Sequence, residues 1–193
     1  MIATLLVQQL KDEYKLTDKD LARIIPLFEE LGAKKNKQLF QSGNIVRWVY
    51  FVEQGCLRQY YVNSNGEDRT IYFKVEGGWA SELVSFLDSK PTELNLQALE
   101  DCRLQVINRK NWIYAISQIP SFCMGFIRAQ QNTNHMLKKR LAEATVETPE
   151  EKYLRFIREE PQLLLRLPLY QIAAYLAMTP ETLSRIRKKI LEK

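Results

Sequence analysis

The chain has 193 residues, 46% hydrophobic and 26% charged, with a formal net charge of +5. That is the size of one large domain or two small ones, and the composition excludes disordered, collagen-like and low-complexity classes. One histidine, His135, and three cysteines with no Cys-x-x-Cys pair rule out a histidine-rich metal site and offer neither a zinc cluster nor a disulfide framework.

The first thirty residues read as helical, with Leu6, Leu10, Leu21, Ile24, Ile25 and Phe28 at helical spacing and a fresh N-cap at Thr17. The amino-terminal residues lack the basic region and cleavage site of a signal peptide. From Lys37 the pattern turns to short strands, at 48–52, 57–62, 70–75, 93–98 and 102–108. Asn63-Ser64-Asn65-Gly66 reads as a hairpin turn in which Asn65 and Gly66 supply the positive φ angles, and Gly77-Gly78 breaks the chain. Short antiparallel strands at this spacing imply a small β-barrel or roll.

After Arg109 the chain reads as helical to its end. A short helix over 111–116 stops before Pro120, and residues 121–144 form a long helix free of proline. Two stripes recur along it. Phe122, Phe126, Ala129, Thr133, Met136 and Arg140 make one; Ile127, Gln130, Asn134, Leu137 and Leu141 make the other. Such a stripe is often plain core, but a helix this long outruns the roll, so we expect a parallel helix pair across a dimer axis, with Phe122, Phe126, Ala129, Thr133, Met136 and Leu137 in the interface. Thr148-Pro149-Glu150-Glu151 restarts a helix with a capping box, which makes 146–148 the hinge. The longest uncharged run, 111–127, is too short and too polar to span a bilayer. A cytoplasmic protein without a membrane partner is expected.

Residues 161–193 carry six Lys or Arg and two Glu, so most of the net charge sits at this end. Within it, Ile172, Ala173 and Leu176 form the apolar face of one short helix. Ala177-Met178 makes a turn, Thr179 caps a second helix with Pro180 at its first position, and Leu183, Ile186 and Ile190 face inward. The outward positions of that second helix, about 180–191, are Glu181, Thr182, Ser184, Arg185, Lys188 and Lys189. Glu can accept from cytosine N4, Arg can fork onto guanine, and flanking Lys and Arg can meet phosphates. A helical hairpin with an ordinary charged face has the same spacing; the charge segregation tips the reading to double-stranded DNA.

A β-roll, a long helix and a C-terminal helix-turn-helix in this order resemble the Crp/Fnr family of bacterial transcription regulators. Residues 179–186, Thr-Pro-Glu-Thr-Leu-Ser-Arg-Ile, look like that family's recognition helix. The resemblance implies an α+β fold: N-terminal helices and an antiparallel, jelly-roll-like β-roll as sensor (1–120), a long dimerisation helix (121–146) and a helix-turn-helix DNA-binding domain (147–193). It implies a homodimer in which Glu181 and Arg185 read bases and Thr179 and Thr182 hold the backbone, with RNA polymerase as a candidate further partner. Family members commonly carry Arg where Pro180 stands, and many have a two-stranded wing after the recognition helix that is not found here. A module reduced in this way should bind DNA more weakly or read a different site.

The roll resembles a cyclic-nucleotide-binding domain over 34–108. The pieces matching its phosphate cassette are Ser81, Glu82 and Leu83, and then Thr92 and Glu93, with Thr92 where the family has a phosphate-clamping Arg. Glu82 would accept from a ribose hydroxyl. Residues 77–98 carry a net charge of −2, set by Glu82, Asp88 and Glu93 against Lys90. Repulsion therefore argues against cyclic AMP or cyclic GMP. An unidentified small-molecule effector and a ligand-free scaffold both remain open. His135, on the long helix, is not expected to hold haem. No cofactor, metal or enzymatic activity is expected, since no Gly-rich phosphate loop or nucleophile motif occurs. The alternative to a regulator is a ligand- or partner-binding scaffold protein with a vestigial helix-turn-helix that contacts no DNA.

Overall fold

A computed structural model describes residues 4–144 and 146–191; Lys193, counted among the basic residues of the C-terminal end, lies outside them. The fold is α+β, and the chain divides into two compact units.

The first unit takes in residues up to Tyr61 and Ile71–Gln131. Helices α1 (Thr4–Asp12) and α2 (Asp18–Ile24) lead into β1 (Glu29–Ala33), β2 (Gln38–Phe40), β3 (Trp48–Gln54) and β4 (Leu57–Val62). Then follow β5 (Asp68–Lys74), β6 (Trp79–Ala80), α3 (Leu83–Asp88), β7 (Asn95–Ala98), β8 (Cys102–Asn108), α4 (Arg109–Gln118) and α5 (Pro120–Ala144). The strands make two four-stranded sheets, ordered β1-β8-β3-β6 and β2-β7-β4-β5. The registered pairs are antiparallel, with Val52 opposite Leu104 in β3 and β8 and Leu57 opposite Ala98 in β4 and β7. This is the expected roll.

Side-chain chemistry ties the N-terminal helices to the roll. The Glu53 carboxylate on β3 accepts from the amides of Leu5 and Leu6 at 3.3 and 2.9 Å, satisfying donors that the first turn of α1 leaves open. Gln9 donates to the Gly77 carbonyl at 3.0 Å and accepts from the Trp79 indole at 2.7 Å. Thr17 caps α2 in a reciprocal box with Asp20, as the sequence predicts.

Two features depart from expectation. The hairpin turn is not a two-residue Asn-Gly turn: only Gly66 has positive φ, and the Asn63 side chain accepts from the amides of Asn65 and Glu67, so its own local hydrogen bonds set a longer turn. Strand β1 was not legible, since Glu-Glu-Leu-Gly-Ala has no alternation; it pairs with β8 along its whole length.

Helix α5 corrects the expected dimer face. Phe122 is fully buried, stacked at 5.7 Å on Tyr14 and edge-on at 5.4 Å to Trp112, and Phe126 meets Trp112 at 4.9 Å. Phe126 and Ala129 are packed on the core of the roll. Phe122 therefore belongs to the interior of the first unit, while Phe126 and Ala129 are half-buried against it. Thr133 is half-buried, and Met136 is exposed. Arg140, the last member of that stripe, has its side chain outside those described. The second stripe is the open one: Ile127, Leu137 and Leu141 are 40%, 42% and 72% exposed. With Gln130 and Asn134 they are spaced three and four residues apart, the a/d pattern of a coiled-coil seam.

The second unit comprises residues 62–70 and 132–193. After the C-terminal part of α5 come α6 (Pro149–Glu159), α7 (Leu163–Arg166), α8 (Leu169–Tyr175) and α9 (Pro180–Leu191). Thr148 caps α6 in a box with Glu151, as predicted. Arg155 of α6 grips Glu147 at 2.9 and 3.1 Å and lies 3.5 Å from Glu143 of α5, so the predicted hinge is clamped by charge. Among the described residues of this unit, Tyr153, Phe156, Leu163, Leu167, Ile172, Ala173, Leu176 and Leu183 are the buried hydrophobic side chains, and Thr70 and Gln171 are buried too.

Candidate nucleic-acid interface

Helices α8 and α9 meet through a tight turn. Ala173 is fully buried, so the helices approach closely, and the Met178 amide donates back to its carbonyl at 3.0 Å. Ala177 takes a left-handed φ of 55°, the reversal that lets α9 leave at an angle. The Thr179 hydroxyl accepts from the Thr182 amide at 3.2 Å and lies 3.2 Å from the Thr182 hydroxyl. Both threonines, expected at the DNA backbone, are thus engaged in starting the helix.

Leu183 is fully buried and Ile186 half-buried, which fixes the rotation of α9. Thr179, Glu181, Ser184, Arg185, Lys188 and Lys189 are exposed, and Thr182 is half-buried. The structure brings these residues onto one helix. Arg185 donates to the Thr182 hydroxyl at 3.4 Å, which holds the guanidinium along the helix. Glu181 bonds its own amide and the Thr179 hydroxyl, and these hold its carboxyl below the usual carboxylate range, so it is an acceptor at neutral pH. Lys189 is paired with Glu150 of α6 at 2.6 Å. A shallow groove of about 420 Å³ runs here, lined by Thr148, Pro149, Glu150, Thr182, Arg185, Ile186 and Lys189. Sequence reasoning missed Glu150; the capping box was visible, but its relation to Lys189 is tertiary.

The sensor residues lie in the first unit. Ser81 donates to the Trp48 carbonyl at 3.1 Å, and Leu83 opens α3 half-buried. Glu82 turns inward on its own chain: its carboxylate accepts from the amides of Val84 and Ser85 at 3.0 and 2.8 Å and caps α3. Thr92 is buried, with its hydroxyl accepting from the Leu94 amide at 3.1 Å, while Glu93 is exposed. The loop at 43–46, not singled out from sequence, links the two pieces. Val46 donates to Ser85, and the Thr92 backbone pairs with Gly43 and Asn44. Among the described residues no group of His, Cys, Asp and Glu is placed to hold a metal ion, and His135 is exposed. No helix of the described residues is long and apolar enough to cross a membrane.

Residues 31–118 match the cyclic nucleotide-binding domain family. The chain is 26% identical over 184 residues to the cyclic AMP receptor protein of Thermus thermophilus, covering 90% of this chain and 81% of that protein. It is 25% identical over 167 residues to the nitrogen fixation regulation protein FixK of Rhizobium meliloti, covering 83% and 74%. Its fold matches the structure of FixK2 from Bradyrhizobium japonicum with a TM-score of 0.73 at 18% identity, over 86% of this chain and 85% of that one.

Proposed function

We propose that the chain is a DNA-binding transcription regulator of the Crp/Fnr type, in line with its similarity to the cyclic AMP receptor protein and FixK, and that it reads an inverted-repeat site as a homodimer, with α9 in the major groove of each half-site. The observation that carries the reading is the outward set of α9, where Glu181 and Arg185, one turn apart, share a face above the buried Leu183. Arg185 forks onto guanine and Glu181 accepts from cytosine. Ser184 and Lys188 meet phosphates, while Thr179 and Thr182 act indirectly, by fixing the start of the helix and the direction of Arg185. The division of labour is a sensor roll (1–120), a dimerisation helix (121–146) and a DNA-binding domain (147–193), in the cytoplasm.

The open stripe on α5, Ile127, Gln130, Asn134, Leu137 and Leu141, is the seam between copies. The reading leaves out cyclic nucleotides as effector: residues 77–98 carry a net charge of −2, and the amides of Val84 and Ser85 bond the chain's own Glu82 carboxylate, which argues against a phosphate there. Electrophoretic mobility shift with DNA upstream of the protein's own gene, at two salt concentrations, tests the reading. Binding should weaken steeply as salt rises. No shift on any DNA at low salt would refute it.

A further inference from the structure

The ion pair between Lys189 and Glu150 spans the groove beside the reading face. Its N–O distance is 2.6 Å, and the two side chains are 60% and 27% exposed. Glu150 is not needed to cap α6, because Thr148 and Glu151 already close that helix end in a reciprocal box. Its carboxylate lies instead in the groove shared with Thr182, Arg185 and Lys189. A DNA phosphate that reaches Lys189 meets a carboxylate already bonded to its lysine.

We propose that Glu150 is a built-in competitor for backbone phosphate: it holds Lys189 in the free protein and is displaced when DNA docks. The inference rests on the reading of α9 as the DNA-binding helix. Phosphate contacts carry no sequence information, so Glu150 lowers affinity for all DNA alike and leaves base preference unchanged. It keeps non-specific binding weak while Glu181 and Arg185 set the choice of site.

The test is a double-mutant cycle on the full chain, with affinities measured by fluorescence anisotropy on a selected site and on an unrelated duplex. Glu150→Gln should tighten both about twofold to fivefold, the range of an exposed ion pair. The gain should fade as salt rises. In a Lys189→Gln background the gain should disappear, since this ion pair is gone. Thermal melts of each variant check that the fold is intact. An equal gain in both backgrounds would mean general repulsion without the pair, and would overturn the proposal. So would a gain confined to one sequence, or no gain at all. Wild-type protein that binds neither duplex would overturn the reading of α9 and the proposal with it; wild-type binding without a Glu150→Gln gain overturns the proposal alone.

Discussion

The ring of Tyr14 lies directly on Gly125 of α5, so closely that a Cβ on that glycine would overlap it. The contact joins the loop after α1 to the long helix, beside the Phe122 and Trp112 stack. Gly125 is therefore present for close approach, although glycine weakens a helix interior.

Gly125→Ala gains about 1 kcal/mol of helix propensity and loses about 1–3 kcal/mol to overpacking. A net loss of stability is expected in urea unfolding. A more stable variant would show that Tyr14 moves aside freely.

The two stripes of α5 should respond differently to charge. Leu137→Glu places a carboxylate in the proposed seam and should convert dimer to monomer in sedimentation, with little change in the melt of the roll. Phe126→Glu puts a charge against Trp112 and should destabilise the fold by about 2 kcal/mol or more. A Leu137→Glu protein that stays dimeric would move the interface elsewhere.

Calorimetry with cyclic AMP and cyclic GMP should show no heat of binding at micromolar concentrations. Glu82→Ala should lower stability by about 1 kcal/mol through loss of the α3 cap. Tight binding of either nucleotide by the wild-type chain would mean that the cap opens for the ligand.

The capping boxes predict an acid response. The Thr148 amide and hydroxyl hold Glu151 below the usual carboxylate value, and the Thr17 hydroxyl and amide, with Ser121 and Arg23, do the same for Asp20. A carboxyl whose folded pKa is depressed adds stability above its unfolded value, near 4, and loses it as pH falls through the folded value. Urea midpoints should be insensitive to these groups from about pH 5 to 8 and should fall below about pH 4. Glu151→Gln should lower the midpoint at pH 7 and flatten the acid slope.

Much of this architecture was legible because local chemistry and tertiary structure agree. Thr17 and Thr148 announce helix starts by side-chain bonding to the backbone, and Thr179 with Pro180 does so for α9. The strand over 102–108 is marked by its own residues and falls where expected. What escaped depends on partners distant in sequence. Strand β1 exists through its pairing with β8. Which part of the first stripe of α5 is covered was decided by Tyr14 and Trp112, which pack on Phe122 and Phe126 from other elements. The polar residues of the sensor cassette were found, but not that Glu82 and Thr92 spend their acceptors on their own chain. Resemblance supplied candidate positions there, but not the local hydrogen bonds that those side chains make.

The central claim, that α9 reads sequence through Arg185, is tested most directly by binding-site selection from random duplexes with wild-type and Arg185→Ala proteins in parallel. The wild-type chain should return an inverted repeat with half-sites about 34 Å apart, or a multiple of that. Arg185→Ala should lose preference at one base pair, expected to be G·C, in both half-sites, with a loss of about 1–3 kcal/mol on the best site. Wild-type selection without an inverted repeat, or an Arg185→Ala protein with unchanged preference, would contradict the account.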